Sequence, residues 1–236
     1  MSSKPKFDLN AEHHRINRNS WLRASVMGAN DGIVSVSSLM LGFIASNAGS
    51  QTIVLAGLAG LVAGAMSMAA GEYVSVQSQK DTEQADLAQE AHELEHNYEY
   101  ERQELAAIYR DRGLSPALAE QVASELMEKD ALGAHARDEL GLHEISRARP
   151  LQAAFSSAAA FSVGAGMPLV TALLLPQAWL FSGVITMTLL ALIILGSLAA
   201  WTGGASIIRG ASRVLIWGVL AMAATSVIGH FFGINA

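Results

Sequence analysis

Two carboxylates, Asp31 and Glu72, stand alone in the apolar stretches of the chain. Of the 21 Asp and Glu, 17 fall between Asp81 and Glu144, and Asp8 and Glu12 precede the first apolar stretch. A carboxylate at membrane depth costs at least ~2.5–3.5 kcal/mol, so such residues are rare and mostly functional. Two of them on consecutive spans suggest a polar path through the bilayer. Met68 lies one helical turn from Glu72, shares its face and offers a thioether, while Met66 sits at the same level on another face. Asn30, Ser35, Ser37, Ser38 and Ser67 add polar groups nearby. Gly28, Gly32, Gly64 and Gly71, with the Gly60-x-x-x-Gly64 motif, would let backbones approach. The plain alternatives are a hydrogen-bonded structural pair for the acids and ordinary packing for Met68. His230, near the end of the last apolar stretch, reads as interfacial.

A second group of ligands lies in the polar segment between the second and third apolar stretches. Glu90/Glu93 and Glu101/Glu104 are two Glu-x-x-Glu pairs, and on one helix all four share a sector of about 80°. Asp86 extends the stripe, and Leu87, Leu94, Tyr98 and Leu105 border it. His92, Glu95, His96 and Glu99 fall on the far, solvent-facing side. The stripe has no basic partner at i,i+4, so its neighbours repel by a few tenths of a kcal/mol each. A bound cation would offset that repulsion. Carboxylates suit Ca²⁺, Mg²⁺, Mn²⁺ and Fe²⁺, and His135 with Glu139 (i,i+4) adds a nitrogen and an oxygen that tilt the choice toward Fe²⁺, Mn²⁺ or Zn²⁺. One geometric objection stands. In a straight helix Glu90 and Glu101 are about 16 Å apart along the axis. Either the helix breaks near His96–Asn97, or two sites form, or a second subunit completes each site.

The elements that must position these groups follow from hydropathy. Five segments are long enough to span, against the ~20 residues a hydrocarbon core requires: Ala24–Ser46, Thr52–Ser78, Leu151–Leu175, Ala178–Ala200 and Val214–Phe232. The first is too long for a cleaved signal peptide, and no Ala-x-Ala site follows it. All 15 Lys and Arg fall before span 1, between spans 2 and 3, or between spans 4 and 5; the loops Asn47–Gln51 and Pro176–Gln177 carry none. The positive-inside rule then makes the N-terminus and the insert cytoplasmic and the C-terminus external or lumenal. Trp21, Trp179, Trp201 and Trp217 sit near span ends, where aromatic belts form.

The expected fold is an all-α membrane protein of five transmembrane helices with a three-helix cytoplasmic insert between spans 2 and 3. Its parts are an N-terminal segment (1–23), a transmembrane hairpin (24–78), an acidic metal-binding insert (79–150) and spans 3–5 (151–236). The first insert helix runs from Gln79 to about Arg110 and stops at Gly113. The second starts with Ser115 as N-cap and Pro116 at the first helical position, and the third runs from about Asp130 to Leu140 and stops at Gly141. Without cysteine, neither disulfides nor thiolate ligands are available. No nucleophile–base arrangement or phosphate loop is present, so no enzyme activity, prosthetic group or nucleic-acid partner is expected. A ferritin-like di-iron domain would want two Glu-x-x-His motifs, and the insert has none.

Gly28-Ala-Asn-Asp31-Gly-Ile-Val, and Gly60 through Gly71-Glu72-Tyr-Val-Ser-Val, resemble the vacuolar iron transporter family. The Glu-rich insert, His135-Ala-Arg-Asp-Glu139-Leu-Gly and Gly204-Ala-Ser-Ile-Ile-Arg-Gly210-Ala fit as well, so the likeness covers nearly everything after residue 13. The resemblance implies a homodimer of five-span subunits that exports Fe²⁺ from the cytosol in exchange for protons. It implies that Asp31 and Met68 are ligands of the translocation path and that Glu72 is the acid of the Gly-Glu motif. It assigns Glu90, Glu93, Glu101, Glu104 and Glu139 to a cytoplasmic metal-binding domain. His135 departs from plant members, which carry Met there, and imidazole in place of thioether opens the site to Mn²⁺ or Zn²⁺. Competition between protons and metal for the same membrane carboxylates is a physical route to antiport. The competing readings are a Mn²⁺ or broad divalent exporter of the same architecture and a membrane-tethered metal sensor or buffer. The compact termini suggest a bacterial cytoplasmic membrane, with a vacuole-type membrane as the alternative.

Overall fold

The computed structural model describes residues 19–142 and 149–233, without the side chains of residues 19–24. Lys4, Lys6, Arg15 and Arg18, and the side chains of Trp21 and Arg23, lie outside the described residues. Among the described residues every regular element is helical: α1 (Asn19–Ala45), α2 (Ser50–Asp111), α3 (Pro116–Asp138), α4 (Pro150–Leu174), α5 (Leu180–Gly203) and α6 (Ile207–Gly233), with a 3-10 turn at Gln177–Trp179. Five of these, all but α3, are long and apolar enough to cross a membrane. The multi-pass all-α expectation holds. The chain divides into two compact units, one of residues 1–72 and 151–236 and one of residues 73–150.

In the membrane unit the helices meet through small residues. Between apolar helices in lipid there is little hydrophobic drive, so close backbone contact supplies the attraction. A Cβ on Gly32 would collide with Phe161 O and come within 2.8 Å of Ala165 N, and one on Gly164 would collide with Ala29 O. α1 therefore lies backbone to backbone on α4 on either side of Asp31. Gly229 packs the same way on Gly42 of α1, and Gly210 packs on Gly196 and Ala200 of α5. Val36, Met40, Ile53, Phe161, Ala165, Ala172 and Leu180 form the main buried cluster. The buried hydroxyls of Ser37 and Thr188 hydrogen-bond at 2.7 Å and tie α1 to α5. The two uncharged loops meet at one end of this unit: Ser50 Oγ donates to Gln177 Oε1 (3.2 Å), and Gln177 Nε2 donates to Ala48 O (3.4 Å). Trp179, Trp201 and Trp217 are exposed on the outside of the helices.

The polar unit is built from the second part of α2 and from α3. Its core is Leu105, Ala106, Ala123, Met127 and Ala134. α2 ends at Gly113, whose φ of +99° only glycine adopts without strain, and Leu114 N–H closes the end on Tyr109 O (3.2 Å). Ser115 and Pro116 begin α3 in the expected places, but the Ser115 side chain makes no capping bond. Two residues depart from helical geometry. Asn97 (φ −134°, ψ 36°) breaks α2, and Asp130 (φ −166°, ψ 87°) breaks α3. Asp130 Oδ1 accepts the Gly133 N–H (3.0 Å), which makes it the N-cap of the segment that follows. The expected third helix thus starts at Asp130, and the first is two helical segments rather than one continuous rod.

Candidate functional site

The break at Asn97 and the capped segment after Asp130 bring together residues far apart in sequence. One ligand atom each from Glu90, Glu101 and His135 lie within 4.8 Å of one another, and all three residues are buried. Among the described residues this is the one grouping of three or more such side chains. The ~16 Å that a straight helix would place between Glu90 and Glu101 is removed by the break, the first of the three solutions left open by spacing alone.

His135 is fully buried, and its Nδ1 hydrogen-bonds Glu139 Oε2 at 2.9 Å. Glu90 Oε1 lies 3.0 Å from the same nitrogen but out of hydrogen-bond alignment. Glu90 Oε1 and His135 Nε2 are consequently buried without a hydrogen-bond partner. Such orphaned groups cost about 1–3 kcal/mol each, and a cation satisfies a carboxylate and an imidazole lone pair together. Burial pushes the Glu90 carboxyl up to about 7; His135 opposes the shift, and the charges of Glu139, Glu101 and Glu93 add to it. Glu101 is also raised, first by burial and then by Glu104. Glu93 and Glu104 are half-buried and act on the centre through their charge, while Glu139 stands at its rim with its side chain 29% exposed. The donor set of oxygens with one imidazole fits Fe²⁺, Mn²⁺ or Zn²⁺.

A clamp not apparent from sequence holds this segment in place. Asp138 accepts hydrogen bonds from Tyr109 Oη (2.9 Å) and Arg112 Nη1 (2.6 Å), and Arg137 adds a contact at 3.1 Å. Burial would raise the Asp138 carboxyl, but the bonds from Arg112, Tyr109 and Arg137 outweigh it and hold it below its usual range. The end of α2 is thereby tied to α3 one residue before Glu139. The salt bridge of Arg102 goes to Glu99, outside the acidic stripe.

In the membrane unit Asp31 and Met68 line one cleft of about 180 Å³ with Ser35, Ser67, Gly60, Gly64, Val36, Leu39 and Phe161. Ser35 Oγ donates to Asp31 Oδ1 at 2.6 Å. The Phe161 ring fills the space above Gly64, where a Cβ would overlap it. Phe161 was not legible as part of a site, since nothing separates it from the other apolar residues of its span. Glu72 is half-buried on α2 and is not among the residues that line the cleft. Asp31 itself is exposed.

The sequence model of the VIT family matches residues 22–230 of this chain. The vacuolar iron transporter of Acanthamoeba castellanii is 47% identical over 224 residues, covering 94% of this chain and 83% of that protein. Vacuolar iron transporter homolog 1 of Oryza sativa subsp. japonica is 37% identical over 219 residues, covering 92% and 76% respectively. Homolog 2.1 of Arabidopsis thaliana is 36% identical over 217 residues, covering 92% and 83%. Two carboxylate-bearing sites, five membrane-length helices and similarity along nearly the whole length lead to one assignment: the chain belongs to the VIT family, that of the vacuolar iron transporters.

Proposed function

We propose that this protein exports Fe²⁺ from the cytosol in exchange for protons, with Mn²⁺ as a competing substrate. The observation that carries the reading is the buried trio Glu90, Glu101 and His135, in which Glu90 Oε1 and His135 Nε2 have no hydrogen-bond partner. In this reading the polar unit is cytoplasmic and captures the metal, with Glu93, Glu104 and Glu139 supplying further charge. Asp31 and Met68 carry the ion through the membrane, and Glu72 serves the same path. An ion in the cleft meets the Asp31 carboxylate, Glu72 outside the cleft adds a second negative charge to the path, and protons take these oxygens when the ion leaves. Asp31, Ser35 and Ser67 are exposed on a single chain. Polar groups at membrane depth are not left facing lipid, which supports a homodimer in which a second copy covers the cleft.

The test is metal uptake into proteoliposomes under an imposed pH gradient, wild type beside Asp31→Ala, with Fe²⁺ and Mn²⁺ in competition. Gradient-driven flux that the substitution abolishes is the expected result. Flux indifferent to the gradient would remove the antiport, and metal binding without flux in either protein would leave a membrane-tethered sensor.

A further inference from the structure

The face of α2 opposite the carboxylate stripe carries a second set of ligands. His92 and His96 are four residues apart on the turn that precedes the break at Asn97, so they share a face. Both are exposed, and their rings are stacked with centroids 4.1 Å apart and planes 20° apart. We propose that His92 and His96 form a second divalent-ion site, a two-imidazole chelate for late first-row ions such as Ni²⁺, Cu²⁺ and Zn²⁺.

Three observations carry it. The Nδ1 of His96 is 2.7 Å from His92 O. A carbonyl only accepts, so Nδ1 bears the hydrogen and Nε2 holds the lone pair. Metal-ligating histidines make this same bond with their second nitrogen, which fixes the tautomer and the ring. The distance also fits. Side chains four apart on a helix have Cβ atoms about 5–6 Å apart, within reach of one ion, and the exposed rings, now stacked with centroids 4.1 Å apart, turn about their side-chain bonds to bring both lone pairs onto it. The third observation is the spelling. His92-Glu93-Leu94-Glu95-His96 reads H-E-x-x-H, the helical pattern that sets two imidazoles on one zinc ion.

The site differs in kind from the carboxylate centre. Counting from Glu90, the two histidines lie about 200–240° around the helix, so no ion serves both. No third protein ligand joins the pair among the described residues, and Glu93 accepts a hydrogen bond from Gln89 (3.0 Å). An ion here keeps water in its remaining positions and exchanges readily. Nitrogen donors without oxygen reject Ca²⁺ and Mg²⁺ and rank the rest toward Cu²⁺. The chemistry is therefore that of a surface site tilted toward Ni²⁺ and Cu²⁺ where the acidic centre is tilted toward Fe²⁺ and Mn²⁺, beside the break at Asn97.

The experiment is Ni²⁺ titration calorimetry, with Cu²⁺ electron paramagnetic resonance for the nitrogen count. It uses the untagged full-length protein in detergent: wild type, His92→Gln, His96→Gln and Glu90→Gln/Glu101→Gln. Each histidine substitution is expected to remove one Ni²⁺ per chain and the two-nitrogen Cu²⁺ signature. The double glutamine variant is expected to keep both, which separates this site from the acidic centre and from any transport result. Unchanged stoichiometry in both histidine variants, or loss in only one of them, would overturn the chelate. Both side chains are exposed, so neither substitution threatens the fold, and far-ultraviolet circular dichroism checks this.

Discussion

The Nδ1 of His135 lies 3.0 Å from Oε1 of Glu90, an imidazole and a carboxylate buried together although 45 residues separate them in the chain. If the trio holds metal as proposed, that contact sets a proton and an ion in competition for the same small volume.

Glu90 sets the pH dependence. Its folded value is raised from 4.5 to about 7, first by burial. A raised value means that the folded, metal-free unit holds a proton the unfolded chain gives up. The resulting stability is full below about 4.5 and is lost as the pH rises through about 7. Metal-free protein should therefore melt at a lower temperature at pH 8 than at pH 5, as far as this group decides it. Mn²⁺ affinity should run the other way, rising between pH 5 and 7 and levelling above. Calorimetric titration at three pH values checks this, and Glu90→Gln should flatten the profile while weakening binding.

Asn97 is the hinge of the centre. Alanine there favours an unbroken helix by about 0.6 kcal/mol, enough to weaken metal binding about two- to threefold if the break is required. Distances between spin labels at Gln89 and Gln103 should lengthen in Asn97→Ala. An unchanged affinity alongside a longer distance would mean that the partner ligands move with the helix.

Asp138 positions ligands without being one. Replacing it with Asn removes the charge that Arg112 and Arg137 engage; hydrogen bonds to a charged group are worth about 1.5–3 kcal/mol, which caps the loss of metal affinity at about 10- to 100-fold. The loss should persist at every pH above the carboxyl's depressed value. Tyr109→Phe, which removes a single bond to Asp138, should lose less, and equilibrium dialysis with Mn²⁺ ranks the two.

Gly32→Ala tests the seat of Asp31. Its Cβ would press on Phe161 O and Ala165 N, backbone atoms with nowhere to go. Overpacking of this sort costs about 1–3 kcal/mol. Thermal stability in detergent should fall, and transport in proteoliposomes should fall with it as α1 moves off α4. Gly71→Ala, where the Cβ meets open space, should do neither.

The spans, the stop at Gly113, the start of α3 and the candidate ligands were readable because each rests on local chemistry: hydropathy, a left-handed glycine, a proline at a helix start, and acids without basic partners. What eluded reading rests on long-range contact. Of the residues placed beside the stripe, Leu105 is buried, whereas Tyr98, next to the break at Asn97, is exposed. Nothing near Asp138 announces that Tyr109 and Arg112 will reach it, and an apolar Phe161 gives no hint that it walls a polar cleft. Asp31 and Met68 were legible by type, but a shared cleft that omits Glu72 needed coordinates.

The loops tied together by Gln177 carry no ionisable side chain. With export as proposed, an ion released at that end enters a mouth with no electrostatic funnel to concentrate it or draw it back. The acids are instead crowded between Asp81 and Glu144. Direction is then set by the proton exchange, and the uncharged end leaves a released ion to diffuse away.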